Sequence, residues 1–508
     1  MSATASPMSP VPPASPAAPA SRTHVIVGVL AAAGIVVSVM QTLVVPLIPD
    51  LPQLLHTSAS NASWAITATL LGGAIATPVV GRLGDLYGKR RLLLISTVLL
   101  VVGSLVCAPA DSLAPVVIGR MLQGFGMGVI PLGISIMRDV LPPERLGSAM
   151  AVMSSSLGVG GALGLPISAA VAQGTDWHVL FWGSAGLGLV VGVLIFRLVP
   201  ESSVTARGRF DVVGALGLSA GLLCLLLPVS KGGDWGWGSG TTLGLFGAAV
   251  VILLLWGVWE SKHPAPLVDL RTSSRRPILM TNLASIVIGF AMYAMSLVAP
   301  QLLQLPGTTG YGLGQSMLAA GLWMAPAGLV MMAVSPFAAR LSAARGPKIS
   351  LLVGALVIAC GYGLALGLMG STWGVVAFAA VVSAGVGFAY AAMPALIMSA
   401  VPASEGAAAN GLNSLMRSIG TSSASAVMGV VLAHMTTTLG PVSIPTEAGF
   451  RATFMIGAGV AVVAALVVLG IPGRARAGRP VPSAEPSAGV PAEVPGESLV
   501  PEAVKDAR

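Results

Sequence analysis

The stretch Gly81–Arg91 reads GRLGDLYGKRR and lies between two long apolar runs. Five charges and three glycines crowd into these eleven positions, in a chain where only 9% of residues are charged. A segment this polar cannot sit in hydrocarbon, whereas its flanks cannot sit in water. It therefore reads as a short connection between two membrane spans.

The rest of the chain extends this pattern. Of 508 residues 55% are hydrophobic and 18 are acidic, and the mean hydropathy is +0.89. A soluble domain carries roughly 25% charged residues, so this chain cannot cover itself in water. Apolar runs of roughly 18–25 residues recur, each long enough to cross a ~30 Å hydrocarbon core as a helix. Charged or Gly/Pro-rich breaks predict fourteen spans, near 24–48, 62–81, 92–110, 113–138, 146–170, 178–198, 211–229, 240–259, 277–302, 314–336, 349–369, 373–399, 408–434 and 452–471. Alternating strands of ~10 residues, the mark of a membrane barrel, are absent. The expected class is an all-α polytopic membrane protein in a lipid bilayer.

The formal charge of +8 would suit a nucleic-acid partner, but its distribution argues against one. Of 26 Lys and Arg, Arg120 and Arg417 fall within predicted spans, and Lys231 and Arg451 fall in odd-numbered connections. The other 22 occupy the termini, the even-numbered loops and, for Arg138 and Arg197, the span ends that enter those loops. That asymmetry is the positive-inside pattern, which predicts cytoplasmic N- and C-termini in a multi-pass inner (plasma) membrane protein. The first span is too long for a signal-peptide core and is expected to be retained. Residues 1–23 and 473–508, rich in Ala, Pro and Ser or Glu, are expected to be disordered cytoplasmic tails. Cys107, Cys224 and Cys360 are odd in number and lie in apolar spans, with no metal-ligand spacing.

The opening stretch has an echo. GRLGDLYGKRRLLLIS aligns with ARLSAARGPKISLLVG 258 residues later, pairing Arg82 with Arg340, Gly88 with Gly346 and Arg90 with Lys348. QGFGMG (Gln123–Gly128) then pairs with SAGVGF (Ser383–Phe388), and SSSLG (Ser154–Gly158) with LMRSIG (Leu415–Gly420). Three echoes in order indicate a duplication. The halves are 24–198 and 277–472, with two linker helices and a loop in 199–276. Two six-helix bundles in the same orientation fit a rocking transporter with a central site.

In these residues the chain resembles the major facilitator superfamily, in particular its fourteen-helix drug:proton antiporter branch. The family signature G-x-L-A-D-R-x-G-R-K is matched by Gly81, Leu83, Asp85 and Gly88, with Lys89 and Arg90 as the basic pair; Gly84 replaces Ala, and Leu86 a basic residue. The resemblance implies a conformational latch of Gly81, Asp85, Gly88, Lys89 and Arg90, with Asp85 facing the N-terminus of the thirteenth span. The basic residues would anchor the loop at the cytoplasmic surface. Arg120, Gln123 and Gly124 match R-x-x-Q-G, whose Arg is implicated in proton-linked movement, with Gln41 a candidate neighbour seven residues before a kink at Ile48–Pro49. Gly158, Gly161, Gly164 and Pro166 resemble the glycine-rich antiporter motif of the fifth span, whose glycines bend and pack the helix. The family's acid in the first span is Met40 here. Proton coupling would then fall to Arg120 or to an end-of-span acid such as Asp50 or Asp139. Met40, Gln41, Gln123, Asn282, Tyr293, Gln301, Gln304, Trp323, Tyr390 and Met393 are candidates to face substrate, apolar walls with few polar handles being suited to small molecules.

No G-x-x-x-x-G-K-[ST] stretch supports an ATP-driven pump. The five histidines are dispersed, giving no basis for an enzyme or a metal site, and nothing supplies a channel's selectivity ring. The expectation is a monomeric efflux transporter for small, largely apolar drugs, antibiotics or secondary metabolites. It would need no cofactor and draw on the transmembrane proton gradient. The alternative is an importer or facilitator of a small metabolite on the same fold.

Overall fold

In lipid every backbone N–H and C=O must find its partner inside the protein, so apolar runs of this length become helices. The computed structural model describes residues 20–47, 50–202, 204–439 and 442–472; the expected tail 473–508, residues 1–19 of the expected tail 1–23 and the Ile48–Pro49 kink lie outside them, while residues 20–23, expected to be disordered, are helical and run into the first span. Fourteen helices among the described residues are long and apolar enough to span a membrane. They are α1 (Thr23–Leu47), α2 (Ser60–Tyr87), α3 (Lys89–Cys107), α4 (Leu113–Val140), α5 (Glu144–Gly174), α6 (His178–Leu198), α7 (Val212–Trp235), α8 (Gly240–Lys262), α9 (Arg276–Gln304), α10 (Met317–Arg345), α11 (Pro347–Leu368), α12 (Thr372–Ala400), α13 (Ala403–His434) and α14 (Glu447–Leu469).

Packing reproduces the duplication. In the first half α1 packs on α5, α2 and α3 on α4, and α3 on α6. In the second half α9 packs on α13, α10 and α11 on α12, and α11 on α14. The halves meet reciprocally, α2 against α13 and α10 against α5. Helix α7 lies against α2 and α13, and α8 packs chiefly on α7. The two helices thus stand outside both bundles.

Local geometry repeats as well. Gly88 and Gly346 separate α2 from α3 and α10 from α11, with φ of +108° and +91°. Side chains rarely adopt this backbone region, which makes glycine the fitting residue at both corners. Arg90 reaches the Phe196 carbonyl at the end of α6, and Lys348 reaches the Leu469 and Ile471 carbonyls at the end of α14. Each cation meets the unpaired carbonyls and negative pole of a helix C-terminus.

Three features depart from expectation. The stretch Gly81–Arg91, expected as a connection, is helical on both sides of Gly88, α2 running to Tyr87 and α3 starting at Lys89. Strands β1 (Thr436–Leu439) and β2 (Val442–Pro445) form an antiparallel hairpin between α13 and α14, its end tied by the Tyr311 hydroxyl donating to the Pro445 carbonyl at 2.5 Å. Lys231, assigned above to a connection, belongs to α7 and is fully buried. Its ammonium donates to the Ser60 carbonyl and the Ser63 hydroxyl of α2, pairs with Asp234 at 3.2 Å and lies 5.2 Å from the Trp64 ring centre. Those partners extend the helix past the charge.

Candidate functional site

The basic end of the molecule holds a buried charge cluster. Asp85, in the last turn of α2, is fully buried and reaches the first turn of the helix Gly406–His434 within α13. The Ala407 N–H donates to its Oδ1 at 3.2 Å and the Ala408 N–H to its Oδ2 at 2.8 Å. A carboxylate thus satisfies two free donors at the positive pole of a helix from the other half. The approach is close because Gly81 faces the Ala407–Ala408 backbone and Gly411 faces that of Thr77 and Pro78.

Lys89 is not a surface anchor. It is fully buried, with Nζ 2.5 Å from Asp139 Oδ2 and 3.6 Å from Asp85 Oδ1. Two buried carboxylates would be prohibitively unstable without a cation between them. Asp139, a coupling candidate, thus stands at the end of α4 within the same cluster. Asp50, the other candidate acid, is exposed ahead of the short helix Leu51–Leu54.

The connection after α6, to which sequence reasoning gave no role, straps the cluster. The Arg90 N–H donates to Glu201 Oε1 at 3.1 Å, Ser202 Oγ to Asp139 Oδ2 at 2.6 Å, and the Ala206 N–H to the Asp85 carbonyl at 2.6 Å. Arg138 was missed too. Its guanidinium donates to the Val401 carbonyl at 2.9 Å and the Pro402 carbonyl at 3.3 Å, joining α4 to the α12–α13 turn across the two halves. Its position in the last turn of α4, at the basic end, was the available signal.

Arg120 is 1% exposed inside the first half. It donates to the Ala65 carbonyl at 3.0 Å, the Met40 carbonyl at 2.8 Å and Gln123 Oε1 at 2.7 Å, and Gln123 in turn donates to Ser104 at 2.8 Å. The partner from α1 is the Met40 backbone, in place of the Gln41 side chain. Gly124 lets α4 pass the Thr69–Gly73 backbone of α2. All the acceptors are neutral, so the guanidinium knits α1, α2 and α4 together by hydrogen bonds in low dielectric.

Between the halves lies a cavity of about 10 Å³, room for little more than a water. It is bounded by Ile130 and Ile134 of α4, Ser154 and Leu157 of α5, Tyr390 and Pro394 of α12, and Asn410, Asn413, Ser414 and Arg417 of α13. Arg417 is half-buried within α13, its guanidinium 5.0 Å from the Tyr390 ring centre. Of the substrate-facing candidates only Tyr390 borders this cavity. Met40 and Gln123 serve the Arg120 network. Asn282 accepts from Asn413 at 2.9 Å, and Met393 Sδ accepts from Ser285 Oγ at 2.8 Å. Trp323 donates to Gln315 at 3.0 Å and meets Trp373 edge-on, Gln304 is exposed, and Gln41, Tyr293 and Gln301 are half-buried away from it. Amides in an apolar medium satisfy one another across helix contacts before facing a void.

On α5, Gly158 faces Met331 of α10, while Gly164 faces Thr42 of α1. Pro166 meets Gly321 of α10, where a Cβ would come within 3.2 Å. The motif thus packs α5 on two sides. Gly161 does not join in, for it faces open space.

The sequence profile of the Major Facilitator Superfamily matches residues 30–425 and 310–506. The chain is 28% identical over 411 residues to the tetracenomycin C resistance and export protein of Streptomyces glaucescens, covering 80% of this chain and 75% of that one. It is 30% identical over 306 residues to a multidrug resistance protein B homolog of Mycobacterium tuberculosis, covering 59% and 55%. With the uncharacterized MFS-type transporter YhcA of Bacillus subtilis it shares 26% over 332 residues, 65% of this chain and 61% of that one. The chain thus spans less than two thirds of the length of two of these three relatives. Among solved structures, the human organic anion transporter MFSD10 superimposes with a TM-score of 0.65 at 16% identity, covering 88% of this chain and 99% of that one. The proton:xylose symporter XylE superimposes with a TM-score of 0.64 at 17% identity, covering 89% and 96%. These two show a shared fold. With profile, architecture and relatives in agreement, the chain belongs to the major facilitator superfamily, a family of multi-pass membrane transporters rather than enzymes.

Proposed function

We propose that the protein exports small, largely apolar drugs, antibiotics or secondary metabolites across a bacterial inner membrane, in exchange for protons, by alternating access. The observation that carries this reading is the clasp at the basic end, where Asp85 of one half holds the first turn of α13 in the other. In this reading the basic end faces the cytoplasm, in line with the excess of Lys and Arg there. Asp85, Lys89 and Arg138 then hold the transporter shut on the cytoplasmic side, and Gly81 and Gly88 give the close approach and the corner that the clasp needs. When the halves rock apart, the cavity beside Tyr390 and Arg417 widens to admit cargo. Arg120, Gln123 and Gly124 keep α1, α2 and α4 moving as one body.

An apolar cargo agrees with Ile130, Ile134 and Leu157 at the cavity, and export agrees with the resistance and export functions named for relatives at 28% and 30% identity. The test uses inside-out membrane vesicles and a fluorescent apolar dye. Dye uptake driven by internal acid, abolished by a protonophore and by D85A at normal expression, is the expected result. Equilibration of dye that ignores the pH gradient overturns proton exchange.

A further inference from the structure

At the basic ends of α7 and α8 two carboxyl groups are buried side by side. Asp211 precedes α7; its Oδ1 accepts from the Gly214 N–H at 2.8 Å, its Oδ2 from the Trp259 indole at 2.9 Å, and His263 Nδ1 stands 3.7 Å from that Oδ2. Glu260 of α8 is 2% exposed, yet neither of its oxygens has a hydrogen-bond partner. A Cβ at Gly214 would collide with Asp211 Oδ2 and Glu260 Oε1 alike, so that glycine makes room for both. The backbone N–H groups of Leu267 and Val268 and the Trp256 indole face Glu260 without closing a hydrogen bond, and the Trp256 N–H is itself unpaired.

The surrounding charges leave Glu260 uncompensated. Lys262 and Arg209 are exposed, and Asp269 is committed to capping the short helix Leu270–Ser273 through Arg271 and Thr272. His263 leans toward Asp211. Among the described residues no Lys or Arg pairs with Glu260 within 4.0 Å. Burial without a cation disfavours the ionised carboxylate, and a second carboxyl group beside it disfavours it further.

We propose that Glu260, set against Asp211, is a proton-binding site on the two helices outside the bundles, and that its proton governs how readily the seam between the halves opens. The exchange is Glu260–COOH to Glu260–COO⁻ plus a proton delivered to the basic-end solution. Once ionised, the carboxylate draws in the waiting Leu267, Val268 and Trp256 donors. Leu267 and Val268 also wall a cavity of about 270 Å³ at the seam, together with Arg82, Glu405 and Ala408. Pulling that wall toward α8 therefore moves the contact beside the Asp85 clasp. This rests on the transport reading above for its effect on cargo, but not for proton binding itself.

The test uses the full chain in lipid nanodiscs, titrated with pH while following tryptophan fluorescence and the infrared carbonyl band of protonated carboxyl groups. Trp256 and Trp259 report beside the pair. The wild type is expected to show a fluorescence step that coincides with loss of the acid band. E260Q loses both, H263N keeps both, and D211N, which removes the neighbouring negative charge, moves the step to lower pH. A step and band unchanged in folded E260Q overturn the site, as does a D211N step that stays in place. In vesicles held at a constant pH difference, dye uptake by the wild type should change with the absolute pH at the basic end and that of E260Q should not; an unchanged dependence overturns the link to the seam. Wild-type uptake indifferent to any pH gradient counts against proton exchange, while the spectroscopic titration still decides the site.

Discussion

At the basic end one ammonium, Lys89, faces the two carboxylates of Asp85 and Asp139, all three shielded from water. Replacing Lys89 by Met strands both acids, and breaking a buried ion pair costs about 3–5 kcal/mol. K89M is therefore expected to melt well below the wild type in detergent, whereas K89M/D139N recovers part of the loss. A double mutant no more stable than K89M would show that Asp139 does not depend on Lys89. Arg120 makes a second residue-level case. Its fork reaches two carbonyls and one amide on three helices, a geometry that a lysine cannot match. R120K should lower stability by about 2 kcal/mol, the worth of one or two charged hydrogen bonds, and Q123L should cost less because both carbonyl acceptors remain. Thermal melts followed by tryptophan fluorescence rank the two. Sequence made Arg120 conspicuous as a charge in an apolar run. It could not say that the partners would be backbone oxygens, because Met40 and Ala65 lie 80 and 55 residues away. Glu260 was illegible for the opposite reason: an acid at a span end normally reaches water, and only packing buries this one.

At the scale of elements, α2 and α13 cross where Gly81 and Gly411 let two backbones touch. A side chain at either position would meet backbone, which cannot swing aside as a flexible side chain does. G411L should therefore push the helices apart at the basic end. The prediction is faster maleimide labelling of a cysteine at Ala409 in G411L than in the parent, after replacing Cys107, Cys224 and Cys360. Equal labelling rates would show that the crossing has slack. The spans were legible from apolar length alone, since a membrane leaves helix as the economical conformation for such runs. The hairpin Thr436–Pro445 was not, for its pairing lies in a polar connection where neither length nor periodicity is distinctive. The end of α7 was misjudged because Lys231 reads as a boundary until its partners on α2 are known.

For the whole molecule, the halves meet in two reciprocal seams, and among the described residues only one carries an acid cap. The position in α10 that answers to Asp85 by the repeat is Ala343, so the α5–α10 seam relies on small residues such as Gly158, Gly321 and Gly328. That asymmetry predicts that the basic end is governed from the α2–α13 side. A cleavable bifunctional maleimide joining cysteines at Val140 and Ser399, across the Arg138 contact, should stop dye transport, and cleaving the linker should restore it. Transport that persists in the linked protein would rule out opening at this end. The sequence by itself determined the number of spans, the duplication and the excess of basic residues at one end, because hydrophobic length, repetition and charge are properties of the chain read in order. Tertiary structure decided which charges are buried, which helix Asp85 caps, and that Lys89 and Asp139 belong with it. These depend on residues brought together from opposite halves, where low dielectric makes every unpaired charge find a partner or give up its ionisation.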